Sequence, residues 1–520
     1  MKRQVLAAMA IIVALSIGTV GCSKLSSGLG QAAATTQEQS STTETGTTDD
    51  TMFTERDLDS TYDEASATKV QLSDAGSTAE GEGVTVEGNV IRITEEGTYL
   101  LSGTLSDGQI QVEVEDTVKV QIVLDGVSIS NASNAPIYIK QADKVFVTLA
   151  EGSENTLKVT GEFVQTDDNN VDGAIFSKED LTLNGQGSLT IQDAYGHGIV
   201  SKDDLAITSG SYTIDSAKQG LSGKNSVRIA DGKIRIQSDT DGIHSENTEN
   251  TSLGFVYIEG GEIQISAADD GIKGTQKIQI VGGTVEVTSS TEGMESALID
   301  ISGGKVDVTS TDDGLNATDG STSSQGGFGG DAAQDVSIRI SGGVTSVDAS
   351  GDGLDSNGAI EVSGGEVYVS GPTNDGNGGL DYAGEAVVTG GTVVVTGSSG
   401  MVQNFGSSST QGSILLNVGN QEAGSAITVK DQNGNEIASF TAKKAYSSVV
   451  ISAEGLEQGS TYTVTAGSGS TEVTLDTLIY GEGSQQPGGR GGNMGQQPGG
   501  NGGPGSMGGQ RPQDGQSTNQ

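Results

Sequence analysis

Val256-Tyr257-Ile258-Glu259-Gly260-Gly261-Glu262-Ile263-Gln264-Ile265 is followed by Ile278-Gln279-Ile280-Val281-Gly282-Gly283-Thr284-Val285-Glu286-Val287 and then by Ile299-Asp300-Ile301-Ser302-Gly303-Gly304-Lys305-Val306-Asp307-Val308, in steps of 22 and 21 residues. On both sides of each glycine pair apolar and polar residues alternate, the signature of two short strands, each with one buried face, joined at a corner. The pair returns at Gly342-Gly343, Gly364-Gly365 and Gly390-Gly391. A second marker, a glycine before an apolar residue, keeps step with it at Gly198, Gly220, Gly242, Gly271, Gly293, Gly314, Gly353, Gly379 and Gly400, with Gly173 an earlier, looser member.

A unit of about 22 residues with three short strands cannot close its own core, but stacked units bury a continuous one. The expected fold is therefore all-β, a right-handed parallel β-helix whose coils pair at roughly 4.8 Å per coil. Leucine-rich repeats need a Leu-x-x-Leu-x-Leu ladder that is missing, and the calcium roll is matched only superficially at Gly326 to Asp331. Propeller blades are longer and richer in aromatics, whereas this chain is 4% aromatic and has no tryptophan. Its core must come from Val, Ile, Leu and Ala.

The regular helix is expected over 161–405, with insertions bulging at 246–254 and 319–335. An N-terminal cap and first coils should occupy 68–160, since an uncapped end exposes strand edges. Over 406–481 the markers vanish while strands persist, which reads as a separate C-terminal β cap or small sandwich. Residues 22–67, rich in Ser, Thr, Asp and Glu, read as a disordered tether, and 482–520, rich in Gly, Gln and Pro, as a disordered tail.

The chain opens with Lys2 and Arg3, an apolar run over 5–17, and Thr19-Val20-Gly21-Cys22. This pattern is a lipoprotein signal peptide over 1–21, with Cys22 taking lipid and holding the protein on the extracellular face of the cell membrane. Cys22 is the single cysteine, so no disulfide supports the fold. The net charge is −43, which argues against nucleic acid, whose phosphates call for basic patches, and points to a cation as partner. A monomer is expected.

Aligning the coils on the glycine stacks like residues. Before it stand Asp241, Asp270, Glu292, Asp313 and Asp352, with Asp269 and Asp312 one place earlier; two residues after it stand His244, Lys273, Glu295, Asn316, Asp355 and Asp381. Two carboxylates about 5 Å apart repel by roughly 1 kcal/mol in water and about 3 kcal/mol at an effective dielectric near 20. Such columns call for a neutralising ion, and calcium, which accepts oxygens without strict angular demands, suits them. The leading candidate site is Asp313 and Asn316 with Asp352 and Asp355; Glu292 with Glu295 is a second and Asp269 with Asp270 a third. The competing reading takes each Asp-Gly as a turn former with solvated charge.

Five motifs carry a resemblance to a known family. Gly97-Thr98-Tyr99-Leu100-Leu101-Ser102-Gly103-Thr104-Leu105, Val123-Leu124-Asp125-Gly126-Val127-Ser128-Ile129, Ala135-Pro136-Ile137-Tyr138-Ile139, Ala174-Ile175-Phe176-Ser177-Lys178-Glu179-Asp180-Leu181 and Gly198-Ile199-Val200-Ser201-Lys202-Asp203-Asp204-Leu205 resemble the carbohydrate-binding domain family of bacterial β-helix lipoproteins. The resemblance runs from about residue 80 to about residue 480. It implies a calcium-containing, pectate-lyase-like β-helix that binds acidic plant polysaccharide, polygalacturonate in particular, without established catalysis. With few aromatic platforms for sugar stacking, an acidic ligand would meet this acidic chain through calcium. A calcium-dependent pectate lyase is the enzymatic alternative, with Lys273 as the base. His197 and His244, the only histidines, lie in different coils and support no triad. A calcium-stiffened structural adhesin is the third reading.

Overall fold

The computed structural model describes residues 52–320 and 335–483. The signal peptide, Cys22, most of the 319–335 insertion and nearly all of the expected tail lie outside them. The chain forms an all-β parallel solenoid of about 11 turns. Each regular coil places one strand on each of three faces. One coil reads Ile243–Ser245 on the first, Phe255–Ile258 on the second and Glu262–Ala267 on the third; the next reads Ile272–Gly274, Lys277–Ile280 and Thr284–Ser289.

Alternation builds the core. Val256, Ile258, Ile263 and Ile265 are buried, and so are their stacked equivalents Ile278, Ile280, Val285 and Val287. On the first face Ile199, Leu221, Ile243, Ile272, Met294, Leu315, Leu354 and Leu380 form one inward column, all buried. The glycine pairs turn the chain between the second and third faces. The second glycine takes positive φ, 81° at Gly283 and 76° at Gly304; a Cβ on the first, Gly282, would stand 2.2 Å from the carbonyl oxygen of Glu259 in the coil before.

Two boundaries differ from expectation. The tether stops short of residue 67, because Glu55–Leu58 is a helical turn capped by Thr54, and its Asp57 is buried against the solenoid. The C-terminal region is not separate. Tyr446–Ser452 pairs antiparallel with Thr392–Gly397, the last solenoid strand, so it covers an edge that would otherwise be open. A four-stranded antiparallel sheet, made of 426–430, 436–441, 461–466 and 469–474, completes the region around Ile427, Val429, Tyr462 and Val464.

Candidate metal centre

The first face carries the acids. Its strands are three residues long over these coils, and the outer two residues of each are buried, Gly274 with no side chain, while the middle one is only half-buried, its side chain turned outward. Strand register therefore stacks His244, Lys273, Glu295, Asn316, Asp355 and Asp381 in one column. A second column runs beside it. The amides of Gly220, Gly242, Gly271, Gly293 and Gly314 donate to the carbonyls of Asp241, Asp270, Glu292, Asp313 and Asp352 in the next coil, which stacks those five acids.

The two ends of this double column are neutralised differently. Asp241 lies 2.7 Å from His244 Nδ1; burial raises its pKa, but the hydrogen bond and charge of His244 hold it below the usual carboxylate range. Lys273 Nζ stands 2.8 Å from Asp270 and 3.0 Å from Glu295. Beyond Lys273, among the described residues, Glu292, Asp313, Asp352, Asp355 and Asp381 make no ion pair and meet only neutral donors. Asn316 Nδ2 donates to Glu292 at 2.9 Å, the Asp352 amide to Asp313 at 2.6 Å and Gln403 to Asp381 at 2.7 Å.

Burial without a counter-charge shifts these acids. Asp313 is pushed up to about 6, Asp352 to about 7 and Asp355 to about 8, burial being the first cause and the neighbouring carboxylates the next. Glu292 and Asp381 move up as well, again chiefly through burial.

Carboxylate oxygens of Asp313, Asp352 and Asp355 lie within 4.8 Å of one another. Asn316, in the same stack, has a buried Oδ1 with no hydrogen-bond partner among the described residues. A Cβ on Gly351 would come within 2.4 Å of both Asp312 Oδ1 and Asp313 Oδ1, so the chain leaves space beside these oxygens. Oxygen-only donors, three converging carboxylates and an unpartnered amide oxygen fit a hard cation of the calcium type. Asp313, Asp352, Asp355 and Asn316 would hold it.

The other sequence candidates divide. Asp270, Glu292 and Glu295 converge within the same limit, as do Asp241, Asp269 and Asp270, but Lys273 and His244 already neutralise these groups. Asp269 and Asp312 are exposed, and Asp381 continues the column in register with Asp355. Lys273 is poorly suited as a base: burial lowers its pKa, but Asp270 and Glu295 together hold the ammonium well above the usual lysine range.

A fourth acidic group, Asp180, Asp203 and Asp204, lies elsewhere and was missed. The repetition of Ser177-Lys178-Glu179-Asp180-Leu181 in Ser201-Lys202-Asp203-Asp204-Leu205 was the available signal. Arg228 lies 3.1 Å from Asp204, and Ser226 donates to it at 2.6 Å. This group has its own counter-charge.

Residues 87–336 match the family described as carbohydrate-binding domain-containing protein. A carbohydrate-binding domain-containing protein of Acetivibrio thermocellus is 41% identical over 135 residues, 26% of this chain and 47% of its own length. The match thus spans about half of that relative. A solved structure of the polysaccharide lyase-like protein from C. thermocellum, a gadolinium derivative, aligns over 46% of this chain and 100% of its own, at 36% identity and a TM-score of 0.44. Through residues 87–336, the chain matches the carbohydrate-binding domain-containing family whose motifs it resembles in sequence.

Proposed function

We propose that this chain is a calcium-dependent binder of acidic polysaccharide, polygalacturonate or a similar pectin-like chain, held at the outer face of the cell membrane through lipid on Cys22. The observation that carries the reading is the uncompensated half of the ladder. Asp313, Asp352 and Asp355 converge without a cation among the described residues, beside an Oδ1 of Asn316 that has no partner among them. An ion held there by protein oxygens on one side has further coordination positions for uronate oxygens on the other. The family match supports carbohydrate as the ligand class, and the ion reconciles an acidic ligand with a chain of net charge −43.

The lyase alternative loses its base, because Lys273 is held protonated between two carboxylates. Retention on immobilised polygalacturonate should occur in calcium and be lost in excess chelator. Equal retention in both conditions overturns the bridging role. A thermal gain from calcium without any retention identifies a calcium-stiffened rod instead. Palmitate labelling that Cys22→Ala abolishes tests the anchor.

A further inference from the structure

Few cations serve this chain, 26 Lys and Arg against 69 Asp and Glu, yet four lysines line up at one corner. Lys140, Lys178, Lys202 and Lys224 each occupy the same place at the end of a first-face strand in successive coils. The register Ile139↔Ser177↔Ser201↔Gly223 sets this, and the amides of Lys178, Lys202 and Lys224 donate to the carbonyls of Ile139, Ser177 and Ser201. Lys178 and Lys202 are exposed, and among the described residues neither makes an ion pair. Lys202 is held over the Phe176 ring, 5.2 Å from its centroid. Lys224 pairs at 2.7 Å with Glu249, whose side chain is 77% exposed, a partner easily exchanged for a ligand.

Beside these lysines the outward column of the first face changes size. It runs Tyr138, Phe176, Val200, Ser222, His244, Lys273. The first three are buried in a cluster with Phe163 and Val171 of the 160–172 loop. Ser222 is the small residue between that covered patch and His244, and a cleft of about 240 Å³ opens there, lined by Lys202, Lys224, Gln219, Ser222, His244 and Glu246. Whole-ligand pockets run to roughly 300–1,000 Å³, so this one suits a single unit of a longer chain.

We infer that this cleft is a direct subsite for one carboxylate-bearing sugar unit, engaged by Lys202 and Lys224 without metal. Two ammonium groups supply charge-assisted donors to a carboxylate, while Gln219, Ser222 and Glu246 offer acceptors for sugar hydroxyls. Glu246, 3.6 Å from His244 Nε2, repels any anionic group brought against it, so the carboxylate belongs at the lysine end of the cleft and the sugar hydroxyls at the Glu246 end. The inference rests on the acidic-glycan reading and extends it. Ser222 shares its column with Asn316 and lies four coils before it, roughly 19 Å along the solenoid. A polyuronate lying along that column reaches both the cleft and the metal ladder.

The test compares the full chain with Lys202→Gln/Lys224→Gln, both in calcium and in chelator. In calcium the double variant should bind polygalacturonate about tenfold more weakly, with calcium affinity and melting temperature unchanged. In chelator, galacturonate itself should still perturb the parent weakly, by ligand-detected nuclear magnetic resonance, and not the variant. Where the parent retains polymer, equal affinity in parent and variant overturns the subsite, and so does a galacturonate response that survives the substitution. A parent that responds to galacturonate through these lysines but retains no polymer refutes the polysaccharide reading and leaves the cleft standing. A parent that responds to neither overturns both.

Discussion

Asp355 shows at a single residue how the ladder stores its requirement for an ion. Its carboxylate, pushed up to about 8 by burial first and then by Asp313, Asp352 and Asp381, is costly to ionise in the absence of a cation. Asp355→Asn should therefore act with opposite signs in two conditions. In chelator at pH 8 it removes a repulsive charge and should raise the melting temperature; in calcium it removes a ligand and should lower calcium affinity at least tenfold by titration calorimetry. Asp269→Asn, at an exposed position beside a neutralised group, should do neither. A fall in melting temperature in both conditions would mean that Asp355 is merely a packed polar residue. The positions of Asp313, Asn316, Asp352 and Asp355 were legible in the sequence because the Gly-Ile and Gly-Leu markers fix the register, and register decides which side chains stack. The pairing of Lys273 with Asp270 and Glu295 was not. Sequence alignment placed Lys273 beside acids, but whether a lysine reaches two carboxylates or solvent depends on rotamers that spacing does not encode.

At the scale of an element, the segment ahead of the solenoid is the feature that composition misread. Residues 52–59 lie across successive strands of the second face. Phe53 packs near Tyr257, the Met52 carbonyl accepts from Arg228, and the Asp57 carbonyl accepts from Thr208 Oγ1 at 2.7 Å. Asp57 Oδ1 meets Lys144 at 2.7 Å and accepts from Thr182 at 2.6 Å, and Arg56 lies over the Phe146 ring at 4.6 Å. A Ser/Thr/Asp/Glu-rich stretch has too little apolar surface to fold alone, but it docks because the solenoid presents one outward polar residue per coil for it to bridge. Those contacts are more than 60 residues away in sequence, beyond the reach of a local reading. Burial raises the pKa of Asp57, but Lys144 and the hydroxyls of Thr182 and Thr54 outweigh it and bring the group down to about 2. The sign is that of a depressed acid: its stabilisation is present above the unfolded value near 3.8 and lost as pH falls towards 2. Asp57→Ala leaves the Lys144 ammonium buried and unpaired, a loss of about 3 kcal/mol. Trypsin should then cut at Arg56 much faster in the variant than in the parent at pH 7, while the solenoid stays intact. Equal cutting rates would show that the segment is held by other contacts.

For the whole molecule, the same acids set how stability varies with pH, and the direction follows from proton counting. In chelated protein, Asp313, Asp352 and Asp355 titrate at about 6, 7 and 8 in the folded state, against roughly 3.9 when unfolded. Between about pH 4 and pH 8 the folded state binds more protons than the unfolded one, so stability is greatest at the acid end of that window and falls as pH rises. Ordinary exposed Asp and Glu have finished titrating by roughly pH 5.5, so the fall between 5.5 and 8 reports the buried acids, the ladder together with Asp180 and Asp193, both pushed up to about 6 by burial, and it is the comparison with calcium that singles out the ladder. Calcium should reverse the trend. It binds the ionised carboxylates, competes with protons for them, and at about 100 times its dissociation constant adds about 2.7 kcal/mol to the folded state. The gap between melting temperatures in calcium and in chelator should therefore widen steadily from pH 5.5 to pH 8, and Asp355→Asn should narrow it. A gap that stays constant across the window would mean that calcium, if it binds at all, binds at carboxylates already ionised at pH 5.5, away from Asp313, Asp352 and Asp355.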